Sequence, residues 1–104
     1  MYRVTTPTHT FTLPIDTSTC SEILVSYKQN GMELDKHMQD GVLPEGMALS
    51  GANVVVTLSQ SETKAFTKGN ISVQVRVLTN AGKAFASQVF VITNKEVLNE
   101  EILA

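Results

Sequence analysis

The chain has 104 residues, enough for one domain built around one hydrophobic core. Eight Lys and Arg residues against ten Asp and Glu give a formal charge of −2 without a basic block, so we expect neither nucleic acid nor a membrane surface as a partner. The single cysteine, Cys20, has no internal disulfide partner, which favours folding in a reducing cytoplasm. Residues 1–14 do not resemble a signal peptide, and no run of about 18 apolar residues predicts a membrane anchor.

The first predicted strand is Thr8–Leu13, in which polar and apolar residues alternate until Pro14 ends the strand. A polar turn at residues 16–19 separates it from a second strand at Glu22–Gln29. The alternation of that second strand points Tyr27 toward the core.

A hairpin is predicted next. Asn30-Gly31 favours a type I′ turn, because both residues tolerate the positive φ that this turn requires. The return strand, Met32–Met38, carries Glu33, Asp35 and Lys36 among few apolar residues. Such charges are typical of a protected strand at the edge of a sheet.

Residues 40–52 are rich in Gly and Pro, which predicts a loop. A loop of that length is unusual in a compact domain, so we expect a short strand within it, near Val42–Leu43 or Met47–Leu49. A clear strand follows at Asn53–Leu58.

Ser59 and Glu62 have the spacing of a capping box, in which each residue bonds the backbone of the other. This predicts one or two helical turns over Gln60–Phe66. We expect the helix to carry the chain from one sheet to the other, with Ala65 and Phe66 filling the end of the core.

The chain is organised around a long hairpin, Asn70–Thr93. Its first arm alternates Ile and Val with polar residues up to Thr79, as in a strand with one face on a core. The loop Asn80-Ala81-Gly82 places glycine where a three-residue hairpin needs a left-handed residue. The second arm, Lys83–Thr93, is apolar on both faces near its end, which predicts a strand at the centre of the packed domain.

The C-terminal residues 94–104 repeat the capping-box spacing at Thr93 and Glu96, which predicts a short acidic helix. This helix would carry a weak apolar stripe composed of Val97, Leu98, Ile102 and Leu103. We expect these four residues to be assembly contacts; the alternative, that the tail covers its own domain, remains open.

Six to seven short strands joined by regular turns, with one helical corner, predict an all-β fold over residues 1–104. An immunoglobulin-like antiparallel β-sandwich is the expected architecture, and a small open barrel is the alternative.

No pattern of residues predicts a catalytic or metal site. Asp35 and His37 share one face of a strand, and His9 or Cys20 would have to complete a metal site, but no known ligand spacing is present. The carboxylates on the charged strand and the following loop are typical of solvated residues; they are Glu33, Asp35, Asp40 and Glu45. We therefore expect no enzyme activity, no cofactor and no bound metal.

Three segments carry a resemblance to known proteins: Thr6–Pro14 (TPTHTFTLP), Leu58–Phe66 (LSQSETKAF), and the hairpin sequences Val75–Thr79 (VRVLT) and Gly82–Ser87 (GKAFAS). They resemble small prophage-encoded proteins of Gram-positive gut bacteria. The order of strand, helical corner, strand, turn and strand is similar to the immunoglobulin-like N-terminal domain of phage baseplate upper proteins.

This resemblance implies a non-catalytic phage or prophage structural module that acts in tail or baseplate assembly through protein–protein contacts. Its partners would be other virion proteins or copies of itself, as a homo-oligomer. It would be made in the cytoplasm of a bacterial host and would enter the virion if incorporated. The alternative function is a small ligand- or carbohydrate-binding module that uses the 40–52 loop and the face carrying His37 and Asp35.

Overall fold

The computed structural model describes residues 1–104 and contains eight β-strands, one short α-helix and a 3₁₀ turn. The strands are β1 (Thr8–Thr12), β2 (Cys20–Gln29), β3 (Met32–Gln39), β4 (Met47–Ser50), β5 (Asn53–Thr57), β6 (Gly69–Thr79), β7 (Ala84–Ala86) and β8 (Phe90–Asn94); helix α1 is Gln60–Ala65 and the 3₁₀ turn is Thr17–Thr19. The predicted all-β class with one helical corner is confirmed, with eight strands rather than six or seven. No helix has the length and apolar character needed to span a membrane.

The strands form two antiparallel sheets. One has the order β1-β5-β4, and the other has the order β3-β2-β6, with β7 and β8 both paired to β6 on its far side. This is the order of an immunoglobulin-like sandwich in which β1, β5 and β4 correspond to strands B, E and D, and the other sheet to strands C′, C, F and G. Helix α1 lies at the corner where the chain crosses between the sheets, as predicted.

One cluster of sixteen buried apolar residues joins the two sheets. Alternate residues of β6 face this cluster, so the pattern predicted for the first arm of the hairpin is confirmed; they are Ile71, Val73, Val75 and Val77. Tyr27 is fully buried, as predicted. Phe66 is also fully buried, but the prediction for Ala65 is wrong, because Ala65 is exposed and Thr63 points inward instead.

The turns confirm the predictions in part. Gly82 adopts a φ of 82°, as the three-residue loop requires. Asn30 has a φ of 47°, but Gly31 does not have a positive φ, so the predicted type I′ turn at Asn30-Gly31 is wrong. Positive φ at two successive residues occurs instead at Asp40 (49°) and Gly41 (77°), in the tight turn that follows β3.

The loop at residues 40–52 contains β4, which confirms the predicted strand near Met47–Leu49. Val42 forms only an isolated bridge with Gln39. Gly46, just before β4, lies against β5, where a β-carbon would lie 2.5 Å from the carbonyl oxygen of Thr57.

The predicted position of the second hairpin arm is wrong. Lys83–Thr93 lies at the edge of the five-stranded sheet rather than at its centre, and it is divided into β7 and β8. Its apolar residues on the side of the core are only partly covered: Phe90 and Ile92 pack against the core, whereas Phe85 is 48% exposed.

The predicted C-terminal helix is also wrong. Residues 96–104 have no helical turn, and Lys95 forms a parallel bridge with Tyr2. The tail runs past the N-terminal segment and reaches Gln60 at the start of α1.

Candidate interaction surface

The least protected part of the five-stranded sheet is the segment Ala84–Asn94, which we call the open edge. These eleven residues contain no charged side chain. Phe85, Val89 and Val91 are 48%, 54% and 61% exposed. An uncharged, apolar and exposed sheet edge is the type of edge that pairs with another chain.

Between β7 and β8, Ser87 maintains the hydrogen bonding with β6. Its amide donates to the carbonyl oxygen of Val75 at 2.8 Å, and its hydroxyl oxygen accepts from the Val75 amide at 3.0 Å. The side-chain amide of Gln74 donates to the carbonyl oxygen of Ser87 at 2.9 Å. Where β7 and β8 separate, the backbone groups of the edge that face β6 therefore remain hydrogen-bonded.

The outer side of the open edge is paired only at its end. The amino group of Met1 donates to the carbonyl oxygen of Thr93 at 2.9 Å, and the Lys95 amide donates to the carbonyl oxygen of Met1 at 2.8 Å. Since backbone groups alternate in direction along a strand, Val91 also directs its N–H and C=O outward. Those groups are positioned to accept an added strand.

The opposite edge of the same sheet, β3, has a different chemistry. As predicted, β3 is an edge strand with charged residues, and its Lys36 side chain points inward and is 11% exposed. The Nζ atom of Lys36 lies 2.6 Å from Oε2 of Glu62 and donates to the carbonyl oxygen of Glu45 at 3.2 Å. Inward-pointing charge is one way in which natural sheets prevent pairing at an edge.

Glu62 connects this edge to helix α1. Its other carboxylate oxygen accepts from the Ser59 amide at 2.8 Å, and the Ser59 hydroxyl accepts from the Glu62 amide at 3.1 Å, so the predicted capping box is confirmed. Burial opposes ionisation of Glu62, but the hydrogen bonds from Lys36 and Ser59 outweigh it and lower the pKa of the carboxyl group.

The four residues predicted as assembly contacts lie in the extended tail. Leu98 is fully exposed, Leu103 and Ile102 are 74% and 45% exposed, and Val97 is partly buried. They do not form the continuous stripe that a helix would give. Their role in assembly stays a prediction.

Asp35 and His37 lie on the outer face of the five-stranded sheet, as their spacing predicts. The Nε2 atom of His37 lies 3.1 Å from Oε1 of Glu22. A shallow cavity of about 370 Å³ on this face is lined mainly by polar side chains, among them Lys28, Glu33 and Asp35.

His9 and Cys20 lie on the other side of that sheet, so the structure does not bring the four candidate metal ligands together. The Nδ1 atom of His9 lies 2.8 Å from the Tyr27 hydroxyl, between the two sheets. Burial and the positive N-terminus lower the pKa of His9, while burial and the negative charge of Glu62 raise the pKa of Tyr27. No group of three or more His, Cys, Asp and Glu residues has a metal-binding arrangement.

The open edge was missed by the sequence analysis. Its signal was available, because the eleven-residue stretch without charge contrasts with the three charged residues of β3, namely Glu33, Asp35 and Lys36. That contrast indicates which edge is protected only once both segments are known to be edges.

Comparisons with protein-family models, with curated proteins and with solved structures give no match to this chain.

Proposed function

We propose that this chain is a non-catalytic structural module of phage or prophage type that acts in tail or baseplate assembly through protein–protein contacts. The observation that carries the proposal is the open edge, where Val91 presents an exposed side chain and outward backbone groups on an uncharged strand. Such an edge gains affinity from main-chain hydrogen bonds and specificity from alternate side chains. Its partners are copies of the chain or other virion proteins.

The contrast between the two edges supports assembly in a defined direction. One edge is blocked by inward and outward charge on β3, while the other edge lacks charge. A module with one open and one blocked edge adds a partner on one side only. That geometry favours a finite assembly over an unlimited sheet.

The proposal is tested by light scattering over a concentration series with Val91→Lys. A lysine at the centre of the open edge places a charge in the contact, so we expect a lower mean mass at every concentration than for the unchanged chain. Val42→Lys is the matched control, because Val42 is also an exposed valine, at 72%, but lies outside the open edge. Equal masses for the two variants, or a strictly monomeric unchanged chain, would contradict assembly at this edge.

The phage origin needs a separate measurement. Particles purified from the bacterial host after prophage induction should contain peptides of this chain when analysed by mass spectrometry. Their absence from intact particles, with the protein present in the same lysate, would contradict a role in the virion.

A second candidate function is carbohydrate binding at the outer face of the five-stranded sheet. The observation that favours it is the cavity of about 370 Å³ with carboxylates and a lysine in its lining. Specific retention on a glycan array by a monomeric chain, lost in Asp35→Ala, would support this function. Retention that Asp35→Ala leaves unchanged would exclude this face.

A further inference from the structure

We infer that the side of the sandwich between β1 and β7 binds an extended segment of a different protein, which pairs with β1 and inserts one phenylalanine-sized side chain into the cavity there. The site, which we call the β1 slot, consists of the free edge of β1 and this cavity. It is separate from the outward backbone groups of Val91, so the inference goes beyond the proposed function and does not depend on it.

The first part of the slot is the backbone edge of β1. The Leu13 amide donates to the carbonyl oxygen of Ala52 at 2.8 Å, which continues the ladder between β1 and β5. Since backbone groups alternate in direction along a strand, the even-numbered residues of β1 direct their N–H and C=O groups away from β5. These residues are Thr8, Thr10 and Thr12. No strand other than β5 pairs with β1, so their backbone groups are positioned to accept an added strand.

The second part of the slot is a cavity of about 170 Å³ between the end of β1 and β7. Its lining is mainly apolar and contains no charged side chain; the larger apolar residues are Leu13, Ile15, Val75, Val77 and Phe85. Phe85 is 48% exposed beside it, so this chain does not close the cavity itself. An apolar cavity of about 150 Å³ in a protein takes up a benzene molecule, so this one has room for a phenyl ring.

The two edges that border the slot carry no charge. Neither Val4–Ile15 nor Ala84–Asn94 contains Asp, Glu, Lys or Arg, and His9 is directed between the sheets. The ring centroids of Phe11 on β1 and Phe90 on β8 lie 5.5 Å apart, so both uncharged edges lie on the same side of the sandwich. A charge brought into this slot would lose water without gaining a partner. The occupant is therefore uncharged.

The free edge and the cavity together require an extended occupant. A strand paired with Thr10 and Thr12 directs every second side chain to the inner face, on the same face as the buried Phe11 and Leu13. Leu13 lines the cavity, so the inward side chain next to it is within reach of the cavity. A small apolar molecule would fill the cavity but would leave the backbone groups of β1 unpaired.

The occupant is a different protein because this chain has no phenylalanine to spare. The chain contains four phenylalanines. Phe11 and Phe66 are buried, Phe90 packs against the core, and Phe85 already lines the cavity. A second copy would have to open its own core to supply the ring. A partner with an exposed segment does not bear that cost.

The test uses a blocked heptapeptide, Thr-Val-Thr-Phe-Thr-Val-Thr, added to the isotopically labelled chain with Val91→Lys, so that the open edge does not contribute. Nuclear magnetic resonance should show shifted signals for Leu13 and Phe85, and slower hydrogen exchange of the amides of Thr10 and Thr12. The peptide with alanine in place of phenylalanine should bind at least about tenfold more weakly, because the ring supplies the anchor.

Two variants separate the two parts of the slot. Thr10→Pro removes an outward donor and leaves the ladder with β5 intact, because proline is tolerated where a strand N–H faces solvent. Phe85→Asp places a charge in the wall of the cavity, and Val89→Asp is its matched control, an exposed residue of the same arm that does not line the cavity. Thr10→Pro and Phe85→Asp should each weaken binding of the phenylalanine peptide by at least about tenfold, and the control should not.

Four results would overturn the inference: no binding of the phenylalanine peptide, equal binding of the two peptides, equal binding by Phe85→Asp and Val89→Asp, or binding without protection of the Thr10 and Thr12 amides. Protection of these amides without peptide, rising with the concentration of the chain, would mean that a second copy occupies the slot and would also overturn it. The proposed function is judged separately, by the mass of the unchanged chain against Val91→Lys. Loss of either result therefore leaves the other in place.

Discussion

The two edges of the five-stranded sheet have nearly opposite chemistry. On β3, charged residues face solvent and Lys36 points inward to Glu62, so the edge carries charge on both faces. On β7 and β8, no residue from Ala84 to Asn94 is charged, and Val91 is exposed. Inward and outward charge thus protects one edge of this sheet, while the other edge carries no charge that would oppose pairing.

The largest effect is expected from breaking the blocked edge. Glu62→Ala removes the partner of Lys36 and half of the capping box, which leaves a largely buried ammonium group without its carboxylate. We expect the free energy of unfolding to fall by about 2–3 kcal/mol, measured by urea denaturation. Glu96→Ala, which removes an exposed partner of Arg3, should change it by less than about 1 kcal/mol. Equal losses in the two variants would contradict a special role for the Lys36–Glu62 pair.

A smaller loss is expected at the open edge. Ser87→Ala removes the hydroxyl oxygen that accepts from the Val75 amide, at the point where β7 and β8 separate. We expect a loss of about 1 kcal/mol in the same assay. Ser72→Ala, at an exposed position of β6, is the control and should change stability by less than about 0.5 kcal/mol. If Ser87→Ala changes the free energy of unfolding no more than this control, the Ser87 hydroxyl does not stabilise the interrupted edge.

Removing the inward charge of β3 should make this edge resemble the open edge. The double variant Lys36→Met with Glu62→Gln removes both charges together, so we expect stability to change by less than about 1 kcal/mol. Without the inward charge, β3 should become able to pair, and light scattering should detect a rise in mean mass. Unchanged mass with an intact fold would mean that the outward charges of β3 are sufficient to block it.

The smallest effect is the local response to acid. The pKa of Glu62 is lower in the folded chain than its ordinary value of 4.5, so its contribution to stability is complete above that value and is lost as the pH falls through the folded value. The lowered pKa of His9 adds a loss that begins as the pH falls below 6.5. Because the open edge has no titratable side chain, hydrogen exchange corrected for intrinsic rates should increase earlier at β3 and α1 than at β8. Glu62→Gln removes the titrating carboxyl group, so it should abolish the part of this response that occurs at the lowest pH.

Much of the fold could be predicted where one local signal decides one local structure. The alternation along β6, the capping box of Ser59 and Glu62, and the positive φ of Gly82 are examples. In each case the residues that form the signal also make the contact. These features can therefore be predicted without knowledge of the rest of the chain.

The position of Ala84–Asn94 could not be predicted in the same way. Apolar residues on both faces indicate that a strand tolerates burial, but burial also requires a facing layer. The facing sheet covers only part of this arm: Phe90 packs against Phe11 of β1, whereas Phe85 stays 48% exposed. Val91 lies opposite Ser72 on the outer face of its sheet, which no layer covers. The apolar pattern of one strand gives no information about how far the facing sheet extends over it.

The tail was wrongly predicted as a helix for a related reason. A segment of about ten residues forms a marginal helix unless its apolar face packs on the domain. Here Leu98 and Leu103 are exposed, while Arg3 and Gln60 bind the extended tail through its carboxylates and backbone. Both partners are distant in sequence, so the spacing within the tail gives no sign of them.

The parallel pairing of Met1–Arg3 with the end of β8 affects how the protein should be prepared. Tyr2 is opposite Lys95, and the amino group of Met1 is bonded to Thr93. An affinity tag fused in front of Met1 would continue in the same direction along the strand, toward Val91. The tag would then occupy the outward backbone groups of Val91, which are the groups that the proposed partner strand would bond.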